Sequence, residues 1–229
     1  MADKKGENNM KISLLLSLTV AAAFFGGQSA SAVPITIYNT GTAASGVDPY
    51  YRITATTDPT VSGNTNAYVD TSSAGGWASA ISGTHWINPS ASGNGSQSFG
   101  IYSYTYSTTF DLTGLDPATA TLSGFLQADD VVTLLLNGKQ VSGSNIGTYT
   151  RPTAFSIDSQ YSADFLSGIN TLSFVVNNSG NYATGFDASV SGTALSATPE
   201  VGSFAMISVA GMLLTGVGVL RKRRQQGLA

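Results

Sequence analysis

An all-β fold, an antiparallel β-sandwich or barrel, is the expectation for the central part of this 229-residue chain. Ser, Thr, Gly, Asn, Tyr and Val dominate that part, whereas the helix formers Glu and Lys are nearly absent from it. Short apolar or alternating runs recur between turn residues, which is the pattern of antiparallel strands. No internal repeat of solenoid period is evident, and this argues against propellers and β-helices. One helical segment is predicted at each end of the chain.

Residues 1–32 have the three-part order of an export signal. Lys11 precedes an apolar run, and the small residues Ala30 and Ala32 then frame a cleavage site. We therefore expect a signal-peptide helix, passage through the Sec translocon, and a mature chain that starts after Ala32. Met10 is an alternative start of translation, and a buried N-terminal helix is the alternative interpretation of the segment.

The domain between the two ends, 33–197, is predicted to contain short strands separated by turns. The chain is looser over 41–98, because "SSAGG" and "NPSASGNGSQS" are turn-rich segments typical of surface loops. In chain order, strands are predicted within 35–38, 51–55, 66–70, 77–81, 99–112, 118–127, 131–141, 170–177 and 186–193.

Turn residues and apolar spacing predict how these strands are arranged. Asn137-Gly138 suits the positive φ angles of a type I′ turn, so the runs on either side should pair as a hairpin. A second turn is predicted at Asp116-Pro117. Residues spaced two apart lie on the same face of a strand, which predicts three apolar faces: Ala120, Leu122 and Leu126; Leu172, Phe174 and Val176; and Phe186, Ala188 and Val190. Tyr102, Tyr104 and Tyr106 also share one face, and a half-exposed sheet is one interpretation of it.

Charge and cysteine content exclude several classes of function. Residues 33–197 hold three basic residues against ten aspartates and no glutamate, a net charge of −7, while the whole chain has −3. A surface so poor in cations matches neither the phosphates of nucleic acid nor anionic lipid. The chain has no cysteine, which excludes thiolate zinc sites, cysteine nucleophiles and disulfides. Its stability must come from the core and the sheet.

The region 99–193 resembles the galactose-binding-like jelly roll of sugar-binding modules in glycoside hydrolases and other secreted proteins. The residues that carry the resemblance are Asn137-Gly138, Phe155 with Asp158, and Leu166, Gly168, Asn170 and Leu172. Gly168 should turn the chain, Asn170 should hydrogen-bond backbone where the next strand begins, and Leu172 should face the core. The resemblance implies a jelly-roll sandwich, an association with carbohydrate and, as in many such modules, a structural calcium ion.

Few residues offer the chemistry of a binding site. Sugar binding needs aromatic faces for the apolar side of a pyranose, with amides and carboxylates for its hydroxyls. Trp77, Trp86 and Tyr182 are the candidate ligand-binding residues, and packing in the core or sheet is the alternative for each. Asp129 and Asp130 are the one adjacent pair of carboxylates; they suit a calcium ion or a turn that caps the next strand.

A catalytic site is not expected. Adjacent strand residues point to opposite faces, so Asp129 and Asp130 could flank one glycosidic bond only if the loop bends. His85 is the only histidine, which excludes a His-rich metal site, and no Gly-x-Ser-x-Gly elbow accompanies it. We interpret His85 as part of a packed loop.

The C-terminal segment 198–224 has a three-part order of its own. Pro199, Glu200 and Val201 precede an uncharged stretch over 204–220, which at about 1.5 Å per residue would reach ~25 Å, against a ~30 Å hydrocarbon core. Four basic residues follow at once and would hold the end in the cytoplasm: Arg221, Lys222, Arg223 and Arg224. This order resembles the PEP-CTERM sorting signal of exopolysaccharide-producing Gram-negative bacteria, with Val201 in place of the second proline. The resemblance implies a transmembrane helix over 204–220 and cleavage near the motif by an exosortase, a membrane-embedded peptidase.

Together these observations predict an exported protein that is anchored briefly in the membrane and then works at the cell surface or outside the cell. We expect a non-catalytic module associated with exopolysaccharide or a biofilm matrix, with no cofactor and no nucleic-acid partner. A secreted hydrolase that uses aspartates and a purely structural, glycosylated matrix protein are the alternatives.

Overall fold

The computed structural model describes residues 30–197, apart from 73–74, 96, 142 and 144. The sorting motif, the transmembrane helix predicted over 204–220, the four basic residues and the signal peptide up to residue 29 lie outside the described residues. Ala30 of the predicted cleavage site precedes the first strand, and Ala32 begins it. Within the described ranges, no helix is long and apolar enough to cross a membrane.

The described chain is built mainly from strands joined by loops. A short 3₁₀ helix, Ser159–Asp164, lies between the ninth and tenth strands. The strands are β1 (Ala32–Pro34), β2 (Gly46–Thr56), β3 (Thr65–Val69), β4 (Ile87–Asn88), β5 (Ser103–Asp111), β6 (Leu115–Asp129), β7 (Val131–Leu136), β8 (Lys139–Gln140), β9 (Thr153–Ile157), β10 (Ile169–Asn177) and β11 (Gly185–Ser196).

The strands form one curled antiparallel sheet. Its order is β8-β7-β10-β5-β2-β3-β4-β11-β6-β9, and β1 pairs with the end of β11. The Phe174 ring on β10 lies 4.6 Å from that of Phe186 on β11 and 5.9 Å from that of Phe155 on β9, measured between centroids. Because these strands stand in opposite halves of the order, the sheet curls until the two halves face each other. The expected all-β antiparallel architecture is confirmed, as a curled sheet packed in the manner of a sandwich.

The core lies between these two halves and follows the predicted period-two faces. The apolar positions predicted for β6, β10 and β11 are all buried: Ala120, Leu122, Leu126, Leu172, Phe174, Val176, Phe186, Ala188 and Val190. Tyr104 and Tyr106 on β5 are fully buried, so the half-exposed interpretation is wrong for these two tyrosines. Their rings pack because the opposite half of the sheet covers this face, with Tyr106 stacked 5.4 Å from Phe186.

The predicted hairpin is confirmed between β7 and β8. Asn137 and Gly138 have φ angles of +50° and +80°, and Leu136 pairs with Lys139 across the turn. The Asn137 side chain also reaches the neighbouring strand, where its Oδ1 accepts from the backbone N–H of Thr171 at 2.8 Å. The turn residues therefore fix the register of β7 against β10 as well as closing the hairpin.

The predictions for the turn before β10 are also confirmed. Gly168 has a φ angle of +91°, and Leu172 is fully buried. The Asn170 amide is buried; its Nδ2 donates to the carbonyls of Leu166 and Gly168 at 2.8 Å, and its Oδ1 accepts from the Leu166 N–H at 2.8 Å. One side chain thus replaces the backbone partners that this turn lacks.

The predicted turn at Asp116-Pro117 is wrong, because both residues lie within β6. The chain instead turns at Thr113-Gly114. Pro117 is tolerated in a strand because the pairing of β6 with β11 is irregular there and does not need its missing N–H.

Two other predicted strands are not observed, and three observed strands were not predicted. Residues 35–38 follow β1 without regular pairing, and 77–81 form a loop. This loop bonds to distant groups instead of a neighbouring strand: the Ala78 N–H donates to the Tyr149 carbonyl at 2.7 Å. The unpredicted strands are β1, which pairs with β11, β4, which has two residues, and β9, which pairs along the edge of β6.

Candidate functional site

A cleft of about 600 Å³ opens where β6 and β10 end and β7 and β11 begin. Four separate parts of the chain meet there: the loop after β3, the β6–β7 connection, the loop before β9, and the loop between β10 and β11. The residues that line it are Gly75, Trp77, Asp129, Asp130, Tyr149, Asn178, Ser179, Gly180, Tyr182 and Ala183. The fold therefore brings together four of the five predicted binding or metal-ligating side chains, Trp77, Tyr182, Asp129 and Asp130.

Trp77 is held in place on three sides. Its Nε1 donates to Asp129 Oδ2 at 2.8 Å. The far edge of the indole lies against Gly185, where a Cβ would collide with the ring, and a Cβ on Gly95 would lie 3.0 Å from it. One indole face stacks on Trp86, with ring centroids 4.3 Å apart and an angle of 26° between the planes. The indole is thus fixed before any ligand arrives.

Trp86 lies behind this ring and is only 7% exposed. Its Nε1 donates to the carbonyl of Ala78 at 3.2 Å, which ties the two ends of the loop together. Trp86 also borders a second, smaller pocket of about 290 Å³, together with Asp70 and His85. His85, predicted to belong to a packed loop, hydrogen-bonds through Nδ1 to the Gly41 carbonyl at 2.6 Å. The position of Trp86 makes it a support for Trp77.

The loop that carries both tryptophans is anchored by a buried carboxylate. Asp187 on β11 is fully buried, and its Oδ2 accepts from the Ile81 N–H at 2.8 Å and from Gln127 Nε2 at 3.0 Å. Its Oδ1 accepts from Thr40 Oγ1 at 3.1 Å. Sequence reasoning missed this anchor, because nothing local links Asp187 to a backbone group 106 residues away.

Tyr182 also lines the cleft, from the loop between β10 and β11. Its side chain is 77% exposed, the most exposed of the large apolar side chains in the described part of the chain. The backbone beneath it is fixed, since the Tyr182 carbonyl accepts from the Phe99 N–H at 3.0 Å. A large ring on a fixed backbone, left open to solvent, is a surface that a ligand can cover.

Asp129 and Asp130 both face this cleft. Asp129 is the last residue of β6, and the chain bends at Asp130 before β7 begins, so the bend that the sequence left open does occur. Asp130 Oδ2 accepts from the N–H and the Oγ of Ser179 at 2.8 and 2.5 Å. The two carboxyl groups are close enough to influence each other's pKa. They act as one pair, held from the β10–β11 loop by Ser179 and from the opposite wall by Trp77.

The environment separates the pKa values of the two carboxyl groups. Burial raises the pKa of Asp129 to about 6; the N–H of Trp77 acts against this rise, and the hydrogen bond and charge of Asp130 add to it. Burial would also raise the pKa of Asp130, but the hydrogen bonds from Ser179 outweigh it and hold that pKa below its ordinary value. No Lys, Arg or His is among the residues that line the cleft.

The calcium role predicted for Asp129 and Asp130 stays a prediction, because these two side chains alone would not complete a calcium site. Calcium takes about six to eight oxygen ligands, but no group of three or more His, Cys, Asp or Glu side chains comes together within the described ranges. One oxygen of Asp129 and one of Asp130 already accept N–H or O–H donors.

No protein-family model matches the chain, and no curated protein matches it. Among solved structures, it is similar to a Stig cyclase, Fisc, from Fischerella sp. TAU, with 17% identity over 73% of this chain and 100% of that one, at a TM-score of 0.42. It is similar to the carbohydrate-binding module CBM35 from Paenibacillus barcinonensis, with 15% identity over 65% and 98%, at a TM-score of 0.30. It also aligns with a β-glucosidase from Kluyveromyces marxianus, with 12% identity and a TM-score of 0.27; the alignment covers 49% of this chain and 13% of the enzyme.

Proposed function

We propose that this protein is a non-catalytic carbohydrate-binding module and that the cleft between Trp77 and Tyr182 is its binding site. The observation that carries the proposal is that one opening of about 600 Å³ brings three aromatic residues, Trp77, Tyr149 and Tyr182, together with two carboxylates. Aromatic faces cover the apolar side of a pyranose, and carboxylate and amide groups bond its hydroxyls. The carboxylates of Asp129 and Asp130 and the amide of Asn178 are the polar groups of this kind on the lining.

The fixed position of Trp77 supports binding over packing as its role. Its stacking on Trp86, its hydrogen bond to Asp129 and its contact with Gly185 hold the ring without a ligand. A preorganised ring loses little conformational entropy on binding, so more of the contact energy appears as affinity. Tyr182 differs, because its exposed ring gains contacts only when something covers it.

The proposed setting of this module rests on the sequence of the two chain ends. We propose export through the Sec translocon, transient anchoring by the segment 204–220, and exosortase processing near Pro199-Glu200, followed by a role on exopolysaccharide at or beyond the cell surface. The galactose-binding-like jelly roll belongs to the same proposal. Intact-mass analysis of the protein from medium and envelope tests the processing. A C-terminus near 198–201 would support it, whereas a full-length tail in the membrane fraction would contradict it.

Affinity electrophoresis in gels that contain soluble polysaccharides tests sugar binding. We expect the wild type to be retarded by at least one glycan, and Trp77→Ala or Tyr182→Ala to weaken retention about tenfold or more, since each removes a large apolar contact. Phe125→Ala is the matched control, because Phe125 is 50% exposed on β6 and does not line the cleft. Circular dichroism would establish that each variant is folded. Undiminished retention of both folded cleft variants would overturn the proposal.

An aspartate-dependent hydrolase is the second candidate, and the separation of the two carboxyl pKa values favours it. General acid and base groups are often tuned apart in this way. However, one oxygen of each carboxylate already accepts a hydrogen bond, from Trp77 or from Ser179, and these bonds suit a role in positioning. Release of reducing sugar by the wild type, lost in Asp129→Asn, would establish the hydrolase; binding without release supports the module.

A further inference from the structure

The two carboxylates that line the cleft restrict the class of sugar that it should bind. Resting on the proposed carbohydrate binding, we propose that the cleft prefers sugars that carry a free, protonated amino group over their N-acetylated, neutral and acidic counterparts. The preference follows from the two carboxylates, the lack of a lining cation, and the aromatic rings that face the same space.

Within the residues that the structure describes, the carboxyl pair has no cationic partner. Asp129 and Asp130 are the charged residues among those that line the cleft. Of the basic residues in the described part of the chain, Lys139 bonds Asp164 at 2.6 Å, and Arg52 bonds Asn64 and Asn66 on the surface. Arg151 is exposed and is not among the lining residues. A ligand ammonium would therefore supply the counter-charge that this pair lacks.

The hydrogen bonds from Trp77 and Ser179 leave room at the two carboxylates for a ligand ammonium group. Trp77 satisfies Oδ2 of Asp129, and Ser179 satisfies Oδ2 of Asp130. An ammonium group has three N–H donors and no acceptor, so each of its N–H groups can donate to a carboxylate oxygen. An N-acetyl group replaces that charge with a neutral amide, and a uronate would bring a third carboxylate to the pair.

The aromatic rings favour the same ligand. Trp77, Tyr149 and Tyr182 all line this cleft. The face of an aromatic ring attracts a cation, and carboxylates beside such rings strengthen the attraction. A sugar with an ammonium substituent can use both features at once, whereas a neutral sugar uses only the ring faces.

Titration of the tryptophan indole signals tests the preference. The chain has two tryptophans, so full-length protein labelled with ¹⁵N-tryptophan gives two indole N–H resonances, and a Trp86→Phe sample assigns them. Because the full-length chain carries the apolar stretch 204–220, the sample should contain a detergent. A nonionic polyoxyethylene is suitable, since it has no sugar headgroup that could compete for the cleft. EDTA should be present to remove metal ions. The ligands are the methyl glycosides of glucosamine, N-acetylglucosamine, glucose and glucuronic acid, with the corresponding galactose series.

We expect the amino sugar of at least one series to shift the Trp77 resonance with a Kd at least tenfold lower than those of its counterparts. Asp130→Asn should reduce that ratio several-fold. Asp164→Asn removes the same charge at the far end of β7 and should leave the ratio unchanged. Equal affinity for amino, N-acetylated and neutral sugars, or tighter binding of the uronate, would overturn the preference while sugar binding stands. If no sugar shifts the Trp77 resonance, both the preference and the proposed binding site fail.

Discussion

Replacing Asp129 with asparagine should make the protein more stable at neutral pH relative to the wild type, and the gain should vanish in acid. The carboxyl pKa is raised from 3.8 to about 6, because the charged form is buried beside Asp130. A group whose pKa is raised by folding stabilises the fold fully below its unfolded pKa and loses that contribution as the pH rises through the folded pKa. The wild type should therefore lose stability between about pH 4 and pH 6–7, and Asp129→Asn should not.

The magnitude follows from the size of the shift. A change from 3.8 to about 6 corresponds to about 3 kcal/mol at 1.36 kcal/mol per pH unit. Asp129 is partly exposed, so solvent screens part of this energy, and about 1–2 kcal/mol is expected. Folding lowers the pKa of Asp130, so this residue affects the free energy of unfolding in the opposite direction. Its contribution to stability is lost only below about pH 4. The interval from pH 4 to pH 7 therefore reports Asp129.

Urea unfolding of wild type, Asp129→Asn and the control Asp164→Asn at pH 4, 5, 6 and 7 measures this difference. Asparagine keeps an oxygen for the Trp77 N–H, so the loop should stay in place. The free energy of unfolding of Asp129→Asn minus that of the wild type should rise by about 1–2 kcal/mol from pH 4 to pH 7. A difference that stays constant within about 0.3 kcal/mol would refute the pKa argument.

Three further substitutions test other parts of the structure. Gly185→Ala should displace the Trp77 ring, because the added Cβ would collide with the indole. The near-ultraviolet circular dichroism spectrum should change and polysaccharide retention should fall. An unchanged spectrum would contradict this packing of Trp77 against Gly185. Asp187→Ala should lower the free energy of unfolding by about 2–4 kcal/mol, because the Ile81 N–H loses its partner and Gln127 Nε2 keeps only the Ser79 carbonyl. A loss below about 1 kcal/mol would show that Asp187 is not the anchor. Asn170→Ala should cost about 1–3 kcal/mol in urea unfolding by removing the bonds that close the turn before β10, and a neutral effect would argue against that role.

Local patterns in the sequence were enough to predict the sheet faces and two of the turns. Leu172, Phe174 and Val176 alternate along one strand, and period two leaves a single face for them. Asn137-Gly138 and Gly168 require positive φ angles that few other residues adopt, so their turns are encoded within a few positions. These features need no knowledge of distant segments.

Features that depend on long-range contacts could not be predicted in the same way. The loop over 77–81 has the composition of a strand, but its backbone bonds to Asp187 and Tyr149, which only the folded sheet brings near. The candidate residues of the cleft were identified singly by side-chain chemistry. Their assembly around one opening depends on where four connections meet, and sequence spacing does not contain that information.

The most direct test of carbohydrate binding at this cleft is the Trp77 indole resonance during titration with oligosaccharides prepared from the exopolysaccharide of the native host. Binding at this cleft should produce a saturable shift of the Trp77 signal that Tyr182→Ala weakens about tenfold or more and Phe125→Ala leaves unchanged. An unmoved Trp77 signal in a folded protein that still binds the polysaccharide would place the site elsewhere and contradict the account.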